Sequence, residues 1–215
     1  MNKLVIFDLD GTLLDSIADI SDNINIMLNK FGYPKRTVEE LKQFVGNGAR
    51  KIVQRSLPSG VSEEKTNECL AFYNDLYTNC GSPKTRLYDG MKETLLTLKE
   101  RGYKLAILTN KPQETTNEVY KKYLSIYNFD MVVGQQAGKQ IKPNPETTEE
   151  IIIKLGADKE QTYFIGDGET DIQTAINAKV KNIAVLWGFR TKEQLINAGA
   201  KAFVTKPKEI LSIIK

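Results

Sequence analysis

The chain has 215 residues, enough for one α/β domain with a modest second module and a well-buried core. It contains no histidine, which excludes histidine bases, histidine metal ligands and phosphohistidine, so catalysis would fall to carboxylates, hydroxyls, lysines and metal. A formal net charge of +3 with scattered lysines suits a small anionic substrate and does not indicate nucleic-acid binding.

No apolar run reaches the length of a membrane span, and the opening Met1-Asn2-Lys3 shows no cleavable signal. We therefore expect a cytoplasmic protein without membrane association, in which Cys69 and Cys80 are free thiols. The sequence does not indicate an oligomeric state.

The chain opens with a short apolar run, residues 4–7, followed by Asp8-Leu9-Asp10-Gly11-Thr12. Such a run, bounded by polar residues and glycine, predicts a fully buried parallel strand. Residues two apart on an extended chain point the same way, so Asp8 and Asp10 can address one reacting atom. Gly11 permits a tight turn whose amides suit an anion. On its own, this pentapeptide could also be an acidic strand-end turn without chemistry.

Residues 16–86 hold several helix patterns in succession and no convincing strand, which predicts an inserted helical module. Its first helix places apolar residues at spacings of three and four, and Ser16 with Asp19 resembles a capping box. Further helices are expected at 38–44, 49–57 and 62–79. The flanking pieces, residues 1–15 and 87–215, would then form one core domain.

From residue 87 onward, apolar strand patterns alternate with helix patterns. Strands are expected at 104–108, 131–133, 162–165, 182–186 and, at an edge, 202–204. Helices are expected at 91–100, 113–123, 145–155, 171–178, 191–198 and 207–214. This alternation predicts an α/β fold with a doubly wound parallel sheet, in which ligands bind at the carboxyl ends of the strands.

Two further polar positions lie within this core. Thr109 and Asn110 follow the strand predicted at 104–108, where a hydroxyl and an amide suit phosphate oxygens but equally suit a helix cap. Lys142, before Pro143, could neutralise a phosphate as a point charge or be an ordinary solvated lysine.

The loop after the strand predicted at 162–165 reads Gly166-Asp167-Gly168-Glu169-Thr170-Asp171. Its glycines free the backbone to turn, and three acids face one region. Mg²⁺ prefers a few carboxylate oxygens together with water and substrate phosphate. With Asp8, this loop is a candidate magnesium site, although an acidic loop without metal has the same composition.

The four motifs fall in register at the ends of four predicted core strands. Together, Asp8 to Thr12, Thr109-Asn110, Lys142-Pro143 and Gly166 to Asp171 resemble the motifs of the haloacid dehalogenase-like superfamily of phosphohydrolases. The insertion after the first motif is similar to the helical cap of that family.

This resemblance implies that Asp8 is a nucleophile that forms a phosphoaspartate, and that Asp10 is the general acid and then the base. Lys142 and Mg²⁺ would offset the repulsion between carboxylate and phosphate. The transferring oxygens would be held by Thr109 and by backbone amides near Leu9, Gly11 and Asn110. Asp8, the Asp10 carbonyl and Asp167 would bind the metal directly, and Asp171 would act through water or by orienting Lys142.

Two segments resemble the phosphoglycolate phosphatase-like members of the superfamily: residues 45–49, read Val-Gly-Asn-Gly-Ala, and residues 187–190, read Trp-Gly-Phe-Arg. This resemblance implies a phosphatase for a small phosphate monoester, with the cap choosing the substrate. Asn47 and Arg50 are candidate substrate-binding residues, because an arginine there could pair with a carboxylate or a second phosphate. Arg50 could also be a solvated helix residue.

Other activities of the same scaffold stay open or are disfavoured. Inorganic pyrophosphatase activity is an alternative, because a related subgroup shares the core motifs. A phospho-accepting signalling module is disfavoured because both acids follow the first strand and a long insert comes next. A catalytically silent binding protein is disfavoured because the expected catalytic side chains are all present. Asp10 argues against dehalogenation, and the lack of histidine argues against a sugar phosphomutase.

Overall fold

The structure, a computed structural model, describes residues 2–80 and 82–214, with side chains for all of these except 78–80. In chain order its strands are β1 (Asn2–Phe7), β2 (Leu14–Asp15), β3 (Arg86–Leu87), β4 (Tyr103–Pro112), β5 (Met131–Gln135), β6 (Ala157–Gly166), β7 (Lys181–Val185) and β8 (Phe203–Val204). Its helices are α1 (Ile17–Lys30), α2 (Val38–Phe44), α3 (Ala49–Ser56), α4 (Glu63–Cys80), α5 (Met91–Glu100), α6 (Gln113–Tyr123), α7 (Glu146–Lys154), α8 (Glu169–Ala178), α9 (Lys192–Asn197) and α10 (Pro207–Ile213).

Six strands form one parallel sheet in the order β5-β4-β1-β6-β7-β8. After β1 the chain adds β4 and β5 on one side and then crosses to add β6, β7 and β8 on the other. This reversal makes the sheet doubly wound, as predicted, and places a crevice at the carboxyl end of β1.

Both faces of the sheet are covered, so consecutive residues of β1 are buried on opposite sides. Leu4 and Ile6 pack in a cluster with Ile151 of α7 and Ala175 of α8. Val5 and Phe7 belong to a larger cluster that includes apolar residues of α5, α10 and the helices α1 to α4. Burial on both faces explains why β1 reads as an uninterrupted apolar run.

The helices α1 to α4 are inserted between β2 and β3. These short strands pair antiparallel through Leu14 with Leu87 and Asp15 with Arg86, so the chain leaves and re-enters the core at one place. The Asp19 carboxylate fixes this return, because it accepts hydrogen bonds from the Thr85 amide at 2.6 Å and the Thr85 hydroxyl at 2.7 Å. The division into domains at residues 15 and 86 stays a prediction.

The capping box predicted for Ser16 and Asp19 is wrong. Ser16 makes no side-chain hydrogen bond to the first turn of α1, because its hydroxyl donates to the Asp10 carboxylate at 2.7 Å. Asp19 is used by the segment that follows α4. Long-range partners have therefore replaced the local cap.

Most predicted elements lie within two residues of the observed ones, and two strands differ more. β4 was expected to end at residue 108 but continues to Pro112, and β6 begins at Ala157 rather than at residue 162. The extension of β4 has a consequence for the site, because Thr109 and Lys111 lie on it and line the same cleft.

Among the described helices, none combines the length and apolar composition that crossing a membrane requires. Cys69 is a buried free thiol, as predicted, whereas the prediction for Cys80 falls on a side chain outside the described part of the structure. The cytoplasmic location stays a prediction.

Candidate active site

The candidate site lies in the crevice at the carboxyl ends of β1, β4 and β6. Asp8 directly follows β1, and Asp167 directly follows β6. Thr109 lies in the carboxyl-terminal half of β4. Lys142 comes from the loop between β5 and α7, and Asp171 lies in the first turn of α8. The parallel sheet brings together residues that are up to 163 positions apart in the sequence from Asp8 to Asp171.

A buried lysine joins two of the acids. The Lys142 ammonium lies 2.7 Å from Asp8 Oδ1 and 2.6 Å from Asp171 Oδ1, and Lys142 itself is only 4% exposed. Burial alone would lower the pKa of Lys142, but the Asp171 and Asp8 carboxylates raise it well above its ordinary value. The lysine therefore stays charged next to Asp8.

Asp167 is held rigidly at the edge of this cluster. Thr12 Oγ1 donates to Asp167 Oδ1 at 3.0 Å, and the Phe189 amide donates to Asp167 Oδ2 at 2.8 Å. A Cβ at Gly11 or Gly188 would overlap the Asp167 side chain, so glycine at both positions lets the backbone approach the acid closely. The acid thus has little freedom to move away from its neighbours.

These acids fit a divalent metal. Asp8, Asp167 and Asp171 each offer a carboxylate oxygen, and the three oxygens lie within 4.8 Å of one another. Burial and the Asp171 charge raise the pKa of Asp8 to about 8 and that of Asp167 to about 7. Crowded, desolvated carboxylates repel one another, Lys142 offsets only part of this repulsion, and hard oxygen donors of this kind suit Mg²⁺.

The Asp10 carboxylate has its own set of partners. Its Oδ1 accepts the Ser16 hydroxyl, and its Oδ2 accepts the Lys111 ammonium at 2.9 Å. Lys111 also donates to the Tyr77 hydroxyl at 3.0 Å, which lies on α4 of the insert. Asp10 is therefore positioned by Lys111 of β4 and by Ser16, the residue before α1. Through Lys111 it is also connected to Tyr77 of the helical insert.

Several predicted phosphate-binding groups are already engaged. The Gly11 amide donates to the Leu14 carbonyl at 2.8 Å and closes a turn, so it does not offer the anion site that the sequence suggests. The Asn110 side chain accepts from the Lys142 amide at 2.9 Å and donates to the Lys142 carbonyl at 3.1 Å, so it positions the lysine loop. Thr109 lines the crevice beside Asp8, and the role of the Leu9 amide stays a prediction.

Comparison with known proteins identifies the family. The model for haloacid dehalogenase-like hydrolases matches residues 5–185. The chain belongs to the haloacid dehalogenase-like hydrolase family. It is 30% identical to a phosphoglycolate phosphatase of Aliivibrio fischeri over 99% of this chain and 96% of the relative. It is 33% identical to phosphoglycolate phosphatase 1 of Pseudomonas aeruginosa over 87% of this chain and 70% of the relative.

A solved structure gives the same result. A protein of Lactobacillus delbrueckii subsp. bulgaricus, assigned as a phosphoglycolate phosphatase, superposes with a TM-score of 0.92 at 31% identity, covering 100% of this chain and 99% of that one. The predicted family, its phosphoglycolate phosphatase-like subgroup and the predicted enzyme class, a phosphoric monoester hydrolase, are confirmed by these relatives.

In this member of the family, the loop of residues 45–48 separates two clefts that meet at Asp8 and Asp10. The inner cleft lies between the insert and the end of β4, and its walls include Ile20, Val45, Ile52, Tyr73, Tyr77, Thr109 and Lys111. The acidic cleft lies on the other side of the loop, and its walls include Gln43, Asn47, Arg55, Asp167, Asp171 and Arg190.

The two insert residues predicted to bind substrate have different surroundings. Asn47 lines the acidic cleft, where its side-chain oxygen accepts a hydrogen bond from Arg55 at 2.8 Å. Arg50 contacts Glu63 at 2.7 Å and Asn67 at 2.7 Å within the insert, and it does not line either cleft. Arg50 thus pairs within the insert, and its contact with substrate stays a prediction.

Sequence reasoning missed three residues that contribute to the site: Lys111, Tyr77 and Arg190. Lys111 had a usable signal, since it directly follows the Thr109-Asn110 motif, and it lines the same cleft as Thr109. Tyr77 had none, because one aromatic among several on α4 gives no sign of facing a lysine 34 positions away.

Proposed function

We propose that this hydrolase removes phosphate from a small, phosphoglycolate-like phosphate monoester with Mg²⁺ and through a phosphoaspartate on Asp8. The observation that carries the proposal is the buried Lys142 ammonium shared between Asp8 and Asp171, with Asp167 beside them. The attacking carboxylate and the phosphate are both negatively charged and repel each other. A positive charge beside them, such as the Lys142 ammonium, is what their approach requires.

Asp8 attacks phosphorus, and the bond from phosphorus to the leaving oxygen breaks as the Asp8–phosphorus bond forms. Lys142 holds Asp8 in place and keeps a positive charge beside the reacting oxygens. Because Asn110 hydrogen-bonds the Lys142 backbone on both sides, the lysine is fixed before the substrate arrives.

Asp10 donates a proton to the leaving oxygen, so that an alcohol departs rather than an alkoxide. It then accepts a proton from the water that attacks the aspartyl phosphate, which releases inorganic phosphate and restores Asp8. Ser16 and Lys111 hold the two Asp10 oxygens and thereby fix its direction.

Asp8, Asp167 and Asp171 would hold Mg²⁺, with the Asp10 carbonyl as a further oxygen. When bound, the ion would supply positive charge that offsets the repulsion between the acids and the phosphate.

We assign residues 16–86 the role of a cap that covers the site and chooses the substrate. Support comes from the inner cleft, in which α1, α3, α4 and the loop of residues 45–48 face Asp8 and Asp10. The named activities of the relatives favour a short phosphate ester such as phosphoglycolate.

The first test is a screen of phosphate esters, including phosphoglycolate, sugar phosphates, nucleotides and pyrophosphate, with purified protein and Mg²⁺. We expect hydrolysis that stops in excess chelator, returns with Mg²⁺ and is inhibited by Ca²⁺, whose larger and looser shell spoils in-line geometry. Asp8→Asn should reduce turnover at least 10³-fold, on the order seen when a nucleophile is removed, while leaving the unfolding transition cooperative. Full activity in chelator, or an Asp8→Asn variant within tenfold of the wild type, would contradict the proposal.

A further inference from the structure

The inner cleft contains a buried cation that the proposed chemistry does not need as a charge. Lys111 is 9% exposed, and its ammonium contacts Asp10 at 2.9 Å and the Tyr77 hydroxyl at 3.0 Å. The ammonium also lies 4.2 Å from the centroid of the Tyr77 ring. Burying an ammonium is costly unless it is partnered. An apolar side chain of similar length would fill the same space without that cost.

Most of the inner cleft is apolar or aromatic on the insert side, and Asn74 of α4 is a polar residue among these walls. Ile20, Val45 and Ile52 provide apolar walls, and Tyr73 lies beside Tyr77 with its ring centroid 5.8 Å away. Among the described side chains that line this cleft, Lys111 is the one cationic group. The Lys111 ammonium is therefore the group in the inner cleft that would attract an anion.

The position of Lys111 relative to the reacting groups fixes which part of a substrate it meets. Asp10 serves the leaving oxygen in the proposed mechanism, and the Lys111 ammonium contacts Asp10 in the inner cleft, whereas Asp167 lines the acidic cleft. A group attached one carbon from the leaving oxygen would therefore lie near the ammonium and the Tyr77 hydroxyl. Arg50, the cation suggested by the sequence for this task, is engaged elsewhere.

We propose that Lys111, supported by Tyr77, binds a carboxylate on the leaving group and makes the enzyme selective for short carboxylated phosphate esters. This inference rests on the proposed function and names the residue that sets its substrate class. Two of the three ammonium donors have partners within the protein, and a substrate carboxylate would take the third. A single cation matches the single charge of a carboxylate better than the charge of a second phosphate, which disfavours pyrophosphate.

The test compares phosphoglycolate with the phosphate ester of glycolamide, which has the same size without the charge. We expect wild-type kcat/KM to favour phosphoglycolate by about 10- to 100-fold, the scale of one charge-assisted hydrogen bond. Lys111→Gln should bring this ratio to within about threefold, because any loss through Asp10 affects both esters and cancels in the ratio. Lys111→Arg should retain most of the preference, and Tyr77→Phe should reduce it partly.

Binding of non-hydrolysable analogues separates recognition from chemistry. 3-Phosphonopropionate and its amide replace the ester oxygen with carbon, so their Kd values do not depend on proton transfer by Asp10. The same loss of preference is expected in Lys111→Gln and not in Lys51→Gln, which alters an exposed lysine of α3 as a matched control.

A preference that survives in Lys111→Gln, an absence of preference in the wild type, or faster turnover of pyrophosphate than of phosphoglycolate would overturn the inference. An equal loss on both esters would reduce Lys111 to a positioning residue for Asp10 and would also overturn it. If the wild type hydrolyses no phosphate ester with Mg²⁺, the proposed function fails, and the Kd ratio of the two phosphonates still decides the role of Lys111.

Discussion

Several acidic side chains and one lysine are buried close together near the carboxyl end of β1. Asp8 and Asp167 are desolvated and lie near Asp171, and both have pKa values raised toward neutrality, to about 8 and about 7. Lys142 offsets part of this repulsion through direct contact with Asp8 and Asp171. In the metal-free protein the cluster therefore favours binding of a cation and weakens the fold as the pH rises toward these values.

The metal-free protein should lose stability as the pH rises from about 4 to about 8. An acid whose pKa is raised by folding binds its proton more tightly in the folded state, so its ionisation lowers the free energy of unfolding between the unfolded and folded pKa values. Chemical unfolding in chelator at about pH 5 and about pH 8 measures this fall. Asp8→Asn should be more stable than the wild type at the higher pH, and Mg²⁺ should reduce the fall in the wild type. Constant or rising metal-free stability over this range would contradict the assigned pKa directions.

Asp10 should matter most for esters whose leaving group needs a proton. Asp10→Asn should slow the first chemical step by about 10²- to 10⁴-fold for an alkyl ester and much less for p-nitrophenyl phosphate, because nitrophenolate departs unprotonated. Single-turnover rates on both substrates measure that step. Equal losses would instead indicate that Asp10 only shapes the turn or holds the metal.

The individual core residues were more predictable than their partners. Asp8 and Asp167 follow from short motifs, because a strand end fixes where the adjacent side chain points, whereas Lys142 lies in a loop and follows only from the combined resemblance of the four motifs. The Gly11 amide and the Asn110 side chain were assigned to phosphate, yet one closes a turn and the other holds Lys142. Residue type alone does not distinguish a free hydrogen-bonding group from one used by a neighbour on another element.

At the scale of elements, one arginine connects the helical insert to the core. Arg190 follows β7, and its guanidinium donates to the Lys42 carbonyl and, at 2.7 Å, to the Val45 carbonyl, while Nε contacts Glu169 at 2.7 Å. The last carbonyls of a helix have no partner within it, so a cation there satisfies the end of α2. The Arg190 side chain is 7% exposed, which makes this contact poorly screened by solvent.

Loss of this contact should loosen the insert. Arg190→Ala should increase hydrogen exchange in α2 and raise KM about tenfold, the scale of one charged hydrogen bond. Arg190→Lys should recover only part of the loss, because lysine lacks the planar fork that reaches two carbonyls and a carboxylate. Glu193→Ala, at an exposed position of α9, is the matched control. Unchanged exchange in α2 would show that Arg190 does not hold the insert.

Most helices were predicted well. Very short strands, and a strand that continues past its apolar run, were not. The helices α5 and α6 match their predicted bounds, and in α5 the buried Met91, Leu95 and Leu98 recur at helical spacing. The ribbon of β2 and β3 was missed because strands of two residues carry no periodicity. β4 was cut short because polar residues 109–111 look like a loop, and they lie beyond the register that β4 shares with β1 and within an irregular step of its register with β5.

At the scale of the whole molecule, chain order explains how the parts of the site meet. β1 lies at the centre of the sheet, so the pieces that follow β4 and β6 reach Asp8 from opposite sides. The helical insert leaves and returns through β2 and β3, next to Asp10, which places its inner face over the same acids. One crevice thus combines a charge-rich reaction centre with a separate wall for the leaving group.

The measurement that tests the central claim most directly is a search for phosphoryl-Asp8 in the Asp10→Asn variant. With p-nitrophenyl phosphate and Mg²⁺ the first step needs no proton from residue 10, whereas hydrolysis of the aspartyl phosphate needs a base there. Rapid acid quenching and peptide mass mapping should find a burst of about one nitrophenol per enzyme and a matching phosphoryl group on Asp8, both lost in chelator. Continued release of nitrophenol with no phosphoryl group on Asp8 would contradict the account.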